Sequence, residues 1–349
     1  ACLVGSEMCI RDRSALESQL RYISHYPDAT NDDILNAIAD IYGMNKNQIV
    51  VGNGAAELLY AICRLPGYTG AFVPAPGFSE YKAALEASRI PVRDIYYRPR
   101  EDEHGKPYFE VPYLALETFA AELKGQDGRI IVFLGNPNNP DGTLLDKNHI
   151  RTIASMLKDA NSLLVIDESF IDFVGNDTLQ DNEYTMRSLV NEFDNIIVVH
   201  SFTKFYAVPG LRIGAAFSNP LIIEQLNSFI PTWSVNTLAQ SYTEAALNDV
   251  EYVKRTKQVL HEEQLFMYNS LDTIDGITVY PPSANFMLFH IEQEGITAES
   301  INEALKKYNM IVRNCDSYMG LNNQWVRVAI KDHDTNVKLV EKLTDILKV

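Results

Sequence analysis

Lys204 is the residue of this sequence whose neighbours most strongly suggest chemistry. It lies in the apolar and aromatic stretch HSFTKFYAVPGLRIG at residues 200–214, with Arg212 eight positions further on. A buried lysine costs several kcal/mol unless its charge is neutralised or used. A Ser-x-x-Lys pair, here Ser201 and Lys204, also occurs in β-lactamase-like hydrolases, but the Ser-Asp-Asn and Lys-Thr-Gly motifs of those enzymes are absent from the sequence.

Three further segments place polar residues directly after apolar runs. Residues 52–57 (GNGAAE) form a turn of small residues ahead of a helical pattern, which offers N–H groups to a phosphate or serves only as a strand–helix turn. Residues 135–142 (GNPNNPDG) form a rigid turn that can present Asn139 to a ligand. Asp167 ends the run LLVID, where a carboxylate otherwise serves as a solvated loop residue or a helix cap.

The elements that position these residues follow from the apolar pattern. Helical spacing predicts a helix over 32–42, with Asn31 or Asp32 as its N-cap. Short apolar runs alternate with helical patterns, which predicts a mostly parallel sheet covered on both faces. Ligands bind at the carboxyl ends of such strands. The predicted strands of this sheet are 49–51, 71–73, 130–134, 163–166, 196–199 and 213–217, and the strands of a smaller α+β unit are 286–289 and 326–330.

The length of 349 residues favours two domains. We expect residues 1–45 to be an N-terminal segment of the small domain, 46–250 to be the large domain, and 251–349 to complete the small domain. The first thirteen residues, ACLVGSEMCIRDR, lack the apolar centre of a signal peptide and change abruptly into a helical pattern. We interpret residues 1–13 as foreign or truncated.

Composition excludes several classes of function. A net charge of −16 argues against nucleic-acid partners and anionic membranes, and no apolar run reaches the length of a membrane span. The four cysteines and seven histidines show no zinc-ligand spacing, so we expect no metal site. Cys63 lies in an apolar helical pattern and is expected in the core. Cytoplasm is the expected location.

The order of these motifs resembles that of the pyridoxal-phosphate enzymes of the aspartate-aminotransferase superfamily, fold type I, class I/II. The resemblance runs from about Tyr26 to the C-terminus, and it is nearest to the threonine-phosphate decarboxylases, with the histidinol-phosphate aminotransferases next. It implies a three-layer α/β/α large domain with a mostly parallel sheet, a smaller α+β domain, and pyridoxal 5'-phosphate as cofactor. The stretches that carry it are APGFSEY, NPNNPDG, DESFIDF, SFTKFYAVPGLRIG, TWSVN, YPPSANFMLF and RNCDSYMGLNNQWVRVAI.

The resemblance also implies roles for individual residues. Lys204 matches the lysine that binds the cofactor aldehyde covalently, and Asp167 matches the aspartate that pairs with the pyridine nitrogen. Asn139 would hydrogen-bond the ring hydroxyl, and Phe78 would stack on the ring. Tyr26 matches the tyrosine that reaches the cofactor phosphate of a neighbouring subunit, which implies a homodimer with shared sites. The residues implied to hold the phosphate are Gly54, Ala55, Ala56, Ser201 and Arg212.

The substrate implied by the resemblance is a phosphorylated amino acid. Arg327 matches the arginine that grips the α-carboxylate, Arg313 would meet the phosphate, and Asn285 would line the same pocket. Many aminotransferases of this group have a tyrosine three residues after the aspartate; Phe170 stands there, as in the decarboxylases. The expected reaction is decarboxylation of L-threonine O-3-phosphate for cobalamin biosynthesis. The alternatives are transamination and a cofactor-free binding protein of this fold.

Overall fold

A computed structural model describes residues 16–125, 128–175, 178–180 and 182–347. The interpretation of residues 1–13 falls outside this part of the chain. The strands are, in chain order, β1 (Ile49–Gly52), β2 (Tyr68–Ala75), β3 (Val92–Tyr96), β4 (Arg98–Glu101), β5 (Pro107–Glu110), β6 (Arg129–Gly135), β7 (Leu163–Asp167), β8 (Ile196–Ser201), β9 (Gly214–Phe217), β10 (Ile277–Val279), β11 (Phe286–Ile291), β12 (Arg313–Asn314) and β13 (Trp325–Ala329).

Helices connect and cover these strands. From Asp32 onward, the α-helices are α1 (Asp32–Tyr42), α2 (Gly54–Ile62), α3 (Ser79–Ala87), α4 (Tyr113–Glu122), α5 (Lys147–Asp159), α6 (Phe202–Phe205), α7 (Pro220–Asn227), α8 (Thr237–Leu247), α9 (Val250–Asp272), α10 (Ala298–Lys306) and α11 (His333–Leu347). Helix α1 has the predicted bounds. Its N-cap residue is Asn31, but the Asn31 side chain makes no capping bond, and Asp28 instead accepts a hydrogen bond from the Asp32 N–H at 3.0 Å.

The larger sheet has seven strands in the order β1-β9-β8-β7-β6-β2-β3. Strands β8, β7, β6, β2 and β3 pair in parallel, whereas β9 is antiparallel to both β1 and β8. The predicted mostly parallel sheet is therefore confirmed.

Both faces of this sheet are covered. Along β6, Ile131 and Phe133 pack into one apolar core, and Val132 and Leu134 pack into another. Helices α2, α3 and α7 contribute to the first core, and α1, α4 and α5 contribute to the second. Successive side chains of a strand point to opposite faces of the sheet, and both faces of this sheet are apolar, so helices cover both sides. This is the predicted three-layer α/β/α arrangement. Cys63 lies in the first core, as expected.

The strand directions bring the predicted polar positions to one edge of the sheet. Gly135, Asp167 and Ser201 are the last residues of β6, β7 and β8, which run in the same direction. Helix α2 begins at this edge, two residues after β1 ends. A Cβ at Gly214 would overlap the backbone of Ala55 and His200, so only glycine allows β9 to pass this close to the first turn of α2.

The smaller sheet is antiparallel in the order β10-β11-β13-β12, and α9, α10 and α11 accompany it. This is the predicted α+β unit; the boundaries at residues 45 and 250 stay predictions. The turn after β6 contacts the loop before β11, because the Ser283 hydroxyl donates to the carbonyl oxygen of Gly142. None of the described helices is long and apolar enough to cross a membrane, and the described residues contain no cluster of histidine, cysteine and acidic side chains suited to a metal.

Candidate active site

Lys204 lies at the carboxyl edge of the larger sheet, in the short helix α6 that follows β8. Its side chain is half-buried and its Nζ lies 5.8 Å from the centre of the Phe170 ring. Burial lowers the pKa of Lys204, the positive charges of Arg327 and Arg212 lower it further, and the nearby Asp167 carboxylate opposes them. Lys204 lines a cavity of about 50 Å³ together with Phe78, Tyr81, Pro137, Asn139, Asp167, Ser169 and Phe170.

Asp167 is buried at the end of β7 and three donors hold its carboxylate. The Tyr81 hydroxyl donates to Oδ2 at 2.8 Å, and Ser169 donates to Oδ1 from its N–H at 2.9 Å and its hydroxyl at 2.5 Å. Burial, followed by the Asp167 charge, raises the pKa of Tyr81 well above its ordinary value. These donors fix the position of the Asp167 carboxyl group, which lines the cavity.

Sequence reasoning did not assign Tyr81 or Ser169. Ser169 lies two residues after Asp167, a spacing at which aspartate commonly bonds its own following backbone, so this partner had a local signal. The sequence signal for Tyr81 was weak. Tyr81 follows Phe78 by three residues at the start of α3, a spacing that places both side chains on one face. The ring of Tyr81 stacks on Phe133 with centroids 5.2 Å apart, which fixes its direction.

Asn139 lies in the turn after β6 and connects the cavity to the smaller sheet. Its Oδ1 accepts a hydrogen bond from the Tyr318 hydroxyl at 3.1 Å and another from Arg327 Nη1. Arg327 is on β13, so this turn brings a guanidinium group of the smaller sheet beside the pocket of Lys204. The Arg327 guanidinium also lies over the Phe286 ring, 5.1 Å from its centre.

The first turn of α2 forms a second polar feature at this edge. Gly54 has φ +79° and the Arg212 guanidinium occupies the space that a Cβ at Gly54 would need. The first N–H groups of a helix have no partner within the helix, and together with the helix dipole they attract anions. Ser201 is buried nearby at the end of β8, where its hydroxyl pairs with that of Thr203 at 2.8 Å. This arrangement of N–H groups and a guanidinium group fits a phosphate.

Arg313 and Arg327 are directly opposite each other on β12 and β13. Within the described residues, no carboxylate lies at ion-pair distance from either guanidinium group. Arg313 instead donates to the Ser317 hydroxyl at 2.9 Å and lies over the Tyr318 ring, 5.5 Å from its centre. Two neighbouring cations without anionic partners form a site suited to two negative groups.

Tyr26 and Asn285 are not among the residues that line the cavity of Lys204. Tyr26 is 78% exposed and stacks on Trp233 with ring centroids 4.5 Å apart. Asn285 is buried before β11; its backbone carbonyl accepts a hydrogen bond from Ile330, and its Oδ1 has no hydrogen-bond partner among the described residues. Neither side chain lines the cavity of Lys204 in its own chain.

A buried ionic network lies directly behind the site, and sequence reasoning did not identify it. His200, next to Ser201, contacts Asp172 at 2.9 Å, and Tyr42 donates to the same carboxylate oxygen at 2.9 Å. Burial would raise the pKa of Asp172, but His200, Arg187 and Tyr42 together outweigh it, so the pKa is lowered. Glu168, next to Asp167, accepts from the Thr185 hydroxyl at 2.6 Å. This network fixes the backbone that carries Asp167 and Ser201.

Comparison with known proteins assigns the chain to a protein family. Residues 9–343 match the family described as aminotransferase class I and II. The chain is 31% identical to the adenosylcobalamin biosynthesis bifunctional protein CobDQ of Leptospira interrogans over 96% of its own length, and it spans only 37% of the length of that relative. It is 30% identical to a putative threonine-phosphate decarboxylase of Caldanaerobacter subterraneus, with 92% of this chain and 83% of that protein aligned. It is 28% identical to the histidinol-phosphate aminotransferase of Methanothermobacter thermautotrophicus, over 96% and 84% of the two chains.

Solved structures have the same fold. The histidinol-phosphate aminotransferase of Clostridium acetobutylicum superposes with a TM-score of 0.86 at 23% identity, covering 100% of this chain and 98% of that one. The L-threonine-O-3-phosphate decarboxylase of Porphyromonas gingivalis superposes with a TM-score of 0.81 at 23% identity, covering 99% and 97%. With a family match over most of its length, the chain belongs to the class I and II aminotransferases, a family of pyridoxal-phosphate-dependent enzymes.

Proposed function

We propose that this protein is a pyridoxal-phosphate-dependent carboxy-lyase that converts L-threonine O-3-phosphate to 1-amino-2-propanol phosphate and CO₂. The observation that carries the proposal is the pair Arg313 and Arg327, which lie opposite each other without carboxylate partners among the described residues. Arg327 bonds Asn139, which lines the cavity of Lys204. Phosphothreonine has two anionic groups, a carboxylate and a phosphate, to match two guanidinium groups.

The polar groups of the site fit the cofactor. Its phosphate would lie at the first turn of α2, on the N–H groups of Gly54, Ala55 and Ala56, with Ser201 and Arg212 beside it. Arg212 already covers Gly54, where only glycine leaves the space. The ring would lie in the cavity between Phe78 and Asp167, within reach of Lys204 and Asn139. When bound, pyridoxal phosphate supplies an electron-accepting ring that stabilises negative charge on the substrate Cα.

Each side chain then has a defined task. Asp167, held by three donors, would keep the ring nitrogen protonated. The lowered pKa of Lys204 increases the fraction of its Nζ that is neutral and able to attack an aldehyde. Lys204 Nζ would also return a proton to Cα after CO₂ has left.

The two arginines would orient the substrate. Arg327 would hold the α-carboxylate and Arg313 the phosphate, with Asn285 near the same pocket. These contacts would decide which group leaves the substrate Cα, the carboxylate as CO₂ or the proton. Holding the substrate at both of its ends limits rotation about the bond between nitrogen and Cα.

Transamination is the second candidate, supported by the similarity to histidinol-phosphate aminotransferases. The position three residues after Asp167 favours the decarboxylase, because Phe170 stands where many aminotransferases of this group have tyrosine. The name of the bifunctional relative supports a role in cobalamin biosynthesis. A cytoplasmic location is part of the same proposal.

We further propose a homodimer with shared sites. Tyr26 lies on the surface rather than in the cavity of its own chain, which fits a side chain that completes the phosphate site of a second copy. Leu20 and Ile23, 51% and 65% exposed, lie in the same N-terminal segment and would be covered in such a dimer.

The proposal is tested by giving the purified holoenzyme two substrates in parallel. Phosphothreonine is supplied with and without 2-oxoglutarate, and histidinol phosphate is supplied with 2-oxoglutarate. We expect aminopropanol phosphate from phosphothreonine at the same rate in both conditions, and little or no glutamate from histidinol phosphate. Formation of glutamate from histidinol phosphate, with no product from phosphothreonine, would establish the aminotransferase instead.

A further inference from the structure

Tyr318 contacts both Asn139 and Arg313. Neither the sequence nor the proposed reaction assigns Tyr318 a role. It lies in the loop between β12 and β13 and is 9% exposed. Its hydroxyl donates to Asn139 Oδ1 at 3.1 Å, and its ring lies under the Arg313 guanidinium at 5.5 Å. One side chain thus contacts a residue assigned to the cofactor and another assigned to the substrate phosphate.

The two donors on Asn139 Oδ1 fix the direction of its amide. Tyr318 and Arg327 both donate to this oxygen, so the oxygen faces the smaller sheet. The amide NH₂ is then left on the other side, and Asn139 lines the cavity with Asp167 and Lys204. An NH₂ group in that direction can donate to the ring hydroxyl of a bound cofactor, whereas the oxygen of a flipped amide could only accept.

A substrate carboxylate competes for one of these donors. The Arg327 guanidinium that bonds Asn139 is the group expected to bind the carboxylate, and a carboxylate is a stronger acceptor than an amide oxygen. When Arg327 turns to the substrate, the Tyr318 hydroxyl is the donor that remains on Asn139 Oδ1.

We propose that Tyr318 is a positioning residue: its hydroxyl holds the Asn139 amide toward the cofactor while Arg327 binds the substrate carboxylate, and its ring supports Arg313. This inference rests on the proposed roles of Asn139, Arg313 and Arg327. Substitution can separate its two parts, because Tyr318→Phe removes only the hydroxyl and Tyr318→Leu removes the ring as well.

The test uses the visible absorbance of the holoenzyme, which depends on pH and needs no turnover. We expect Tyr318→Phe to shift the midpoint pH of this absorbance by about 0.4 to 1 pH unit, as for the loss of one hydrogen bond. Asn139→Ala should shift the midpoint pH in the same direction. Adding Tyr318→Phe to Asn139→Ala should cause no further shift. Propionate, a carboxylate without an amine, enlarges the difference between wild type and Tyr318→Phe because it occupies Arg327.

The ring is tested by affinity. Tyr318→Leu should weaken the binding of phosphothreonine relative to threonine by about two- to fivefold, the size of an exposed cation–π contact, while Tyr318→Phe should not. Tyr280→Phe is the matched control, since Tyr280 is another buried tyrosine, 6% exposed, and lies in the turn between β10 and β11.

An unchanged midpoint in Tyr318→Phe, additivity with Asn139→Ala, or loss of cofactor from Tyr318→Phe would overturn the inference. An equal shift in Tyr280→Phe would do the same. These absorbance measurements distinguish a failure of the inference from a failure of the proposed function, because they give the same answer whether the enzyme decarboxylates or transaminates.

Discussion

Arg313 and Arg327 occupy directly opposed positions on the antiparallel strands β12 and β13. Side chains so placed lie on the same face of the sheet, and like charges there repel each other. Among the residues that the structure describes, each guanidinium group is supported by neutral groups: Arg327 by Asn139 and the Phe286 ring, Arg313 by Ser317 and the Tyr318 ring. A ligand with two anionic groups would relieve this repulsion.

The first prediction distinguishes the substrate groups that Arg313 and Arg327 bind. Wild type should prefer phosphothreonine over threonine by about ten- to a hundredfold in kcat/KM, the size of one charge-assisted contact. Arg313→Ala should remove most of this preference, whereas Arg327→Ala should weaken both substrates. The exposed Arg64 provides the control Arg64→Ala, which should change neither value. Equal losses for both substrates in Arg313→Ala would contradict the assignment of the phosphate to Arg313.

Asp167→Asn is nearly isosteric but replaces the carboxyl group in the cavity lining with an amide. We expect kcat to fall by at least about a hundredfold, the loss typical when a preorganised electrostatic partner is removed. The cofactor should stay bound, because the phosphate contacts at α2 are unchanged. Steady-state kinetics and cofactor stoichiometry measure the two effects. Asp159→Asn, an exposed aspartate paired with Lys124, is the control, and full activity in Asp167→Asn would refute the role.

Tyr81→Phe removes one of the three donors to the Asp167 carboxylate. The lost bond is buried and joins a charged group, so the free energy of unfolding of the cofactor-free protein should fall by about 1.5–3 kcal/mol. Urea unfolding measures this change. Tyr96, 51% exposed, supplies the control Tyr96→Phe, for which we expect a change within about 0.5 kcal/mol. Equal stability of Tyr81→Phe and wild type would show that the hydroxyl does not stabilise the carboxylate.

Lys204 should reduce the stability of the cofactor-free protein. Burial and the charges of Arg327 and Arg212 lower its pKa in the folded state, so the unfolded chain binds the proton more tightly. The contribution of Lys204 to the stability of the wild type should therefore become less unfavourable as pH rises from the folded pKa to the unfolded value of about 10.4. Lys204→Met should be more stable than wild type near neutral pH, and this advantage should shrink as pH rises through that window.

Urea unfolding of Lys204→Met and wild type at several pH values measures this effect. The exposed Lys307 gives the control Lys307→Met, whose difference from wild type should be small and constant with pH. An advantage of Lys204→Met that grows with pH would contradict the account.

The strands and the positions at their ends were predictable because they depend on local pattern. Residues 163–166 form a continuous apolar run, and a strand buried on both faces requires such a run, so the place of Asp167 followed directly. The donors to Asp167 were harder to predict. Tyr81 is 86 residues away in sequence, and only the packing of α3 against β6 brings its hydroxyl to the carboxylate.

The coupling between the two sheets was also beyond sequence reasoning. Asn139 was expected to face the cofactor. It also contacts Tyr318 and Arg327, which are 179 and 188 residues away in sequence. Such contacts depend on how the two sheets pack against each other. The apolar pattern of either sheet carries no signal for them.

Release of CO₂ from carboxyl-labelled L-threonine O-3-phosphate, in the absence of any 2-oxo acid, tests the proposed reaction most directly. A carboxy-lyase regenerates its cofactor in each cycle, so we predict many equivalents of labelled CO₂ per active site and an equal amount of aminopropanol phosphate. An aminotransferase without an acceptor stops after one amino transfer per site. No labelled CO₂, with at most one equivalent of oxo-acid product per site, would contradict the account.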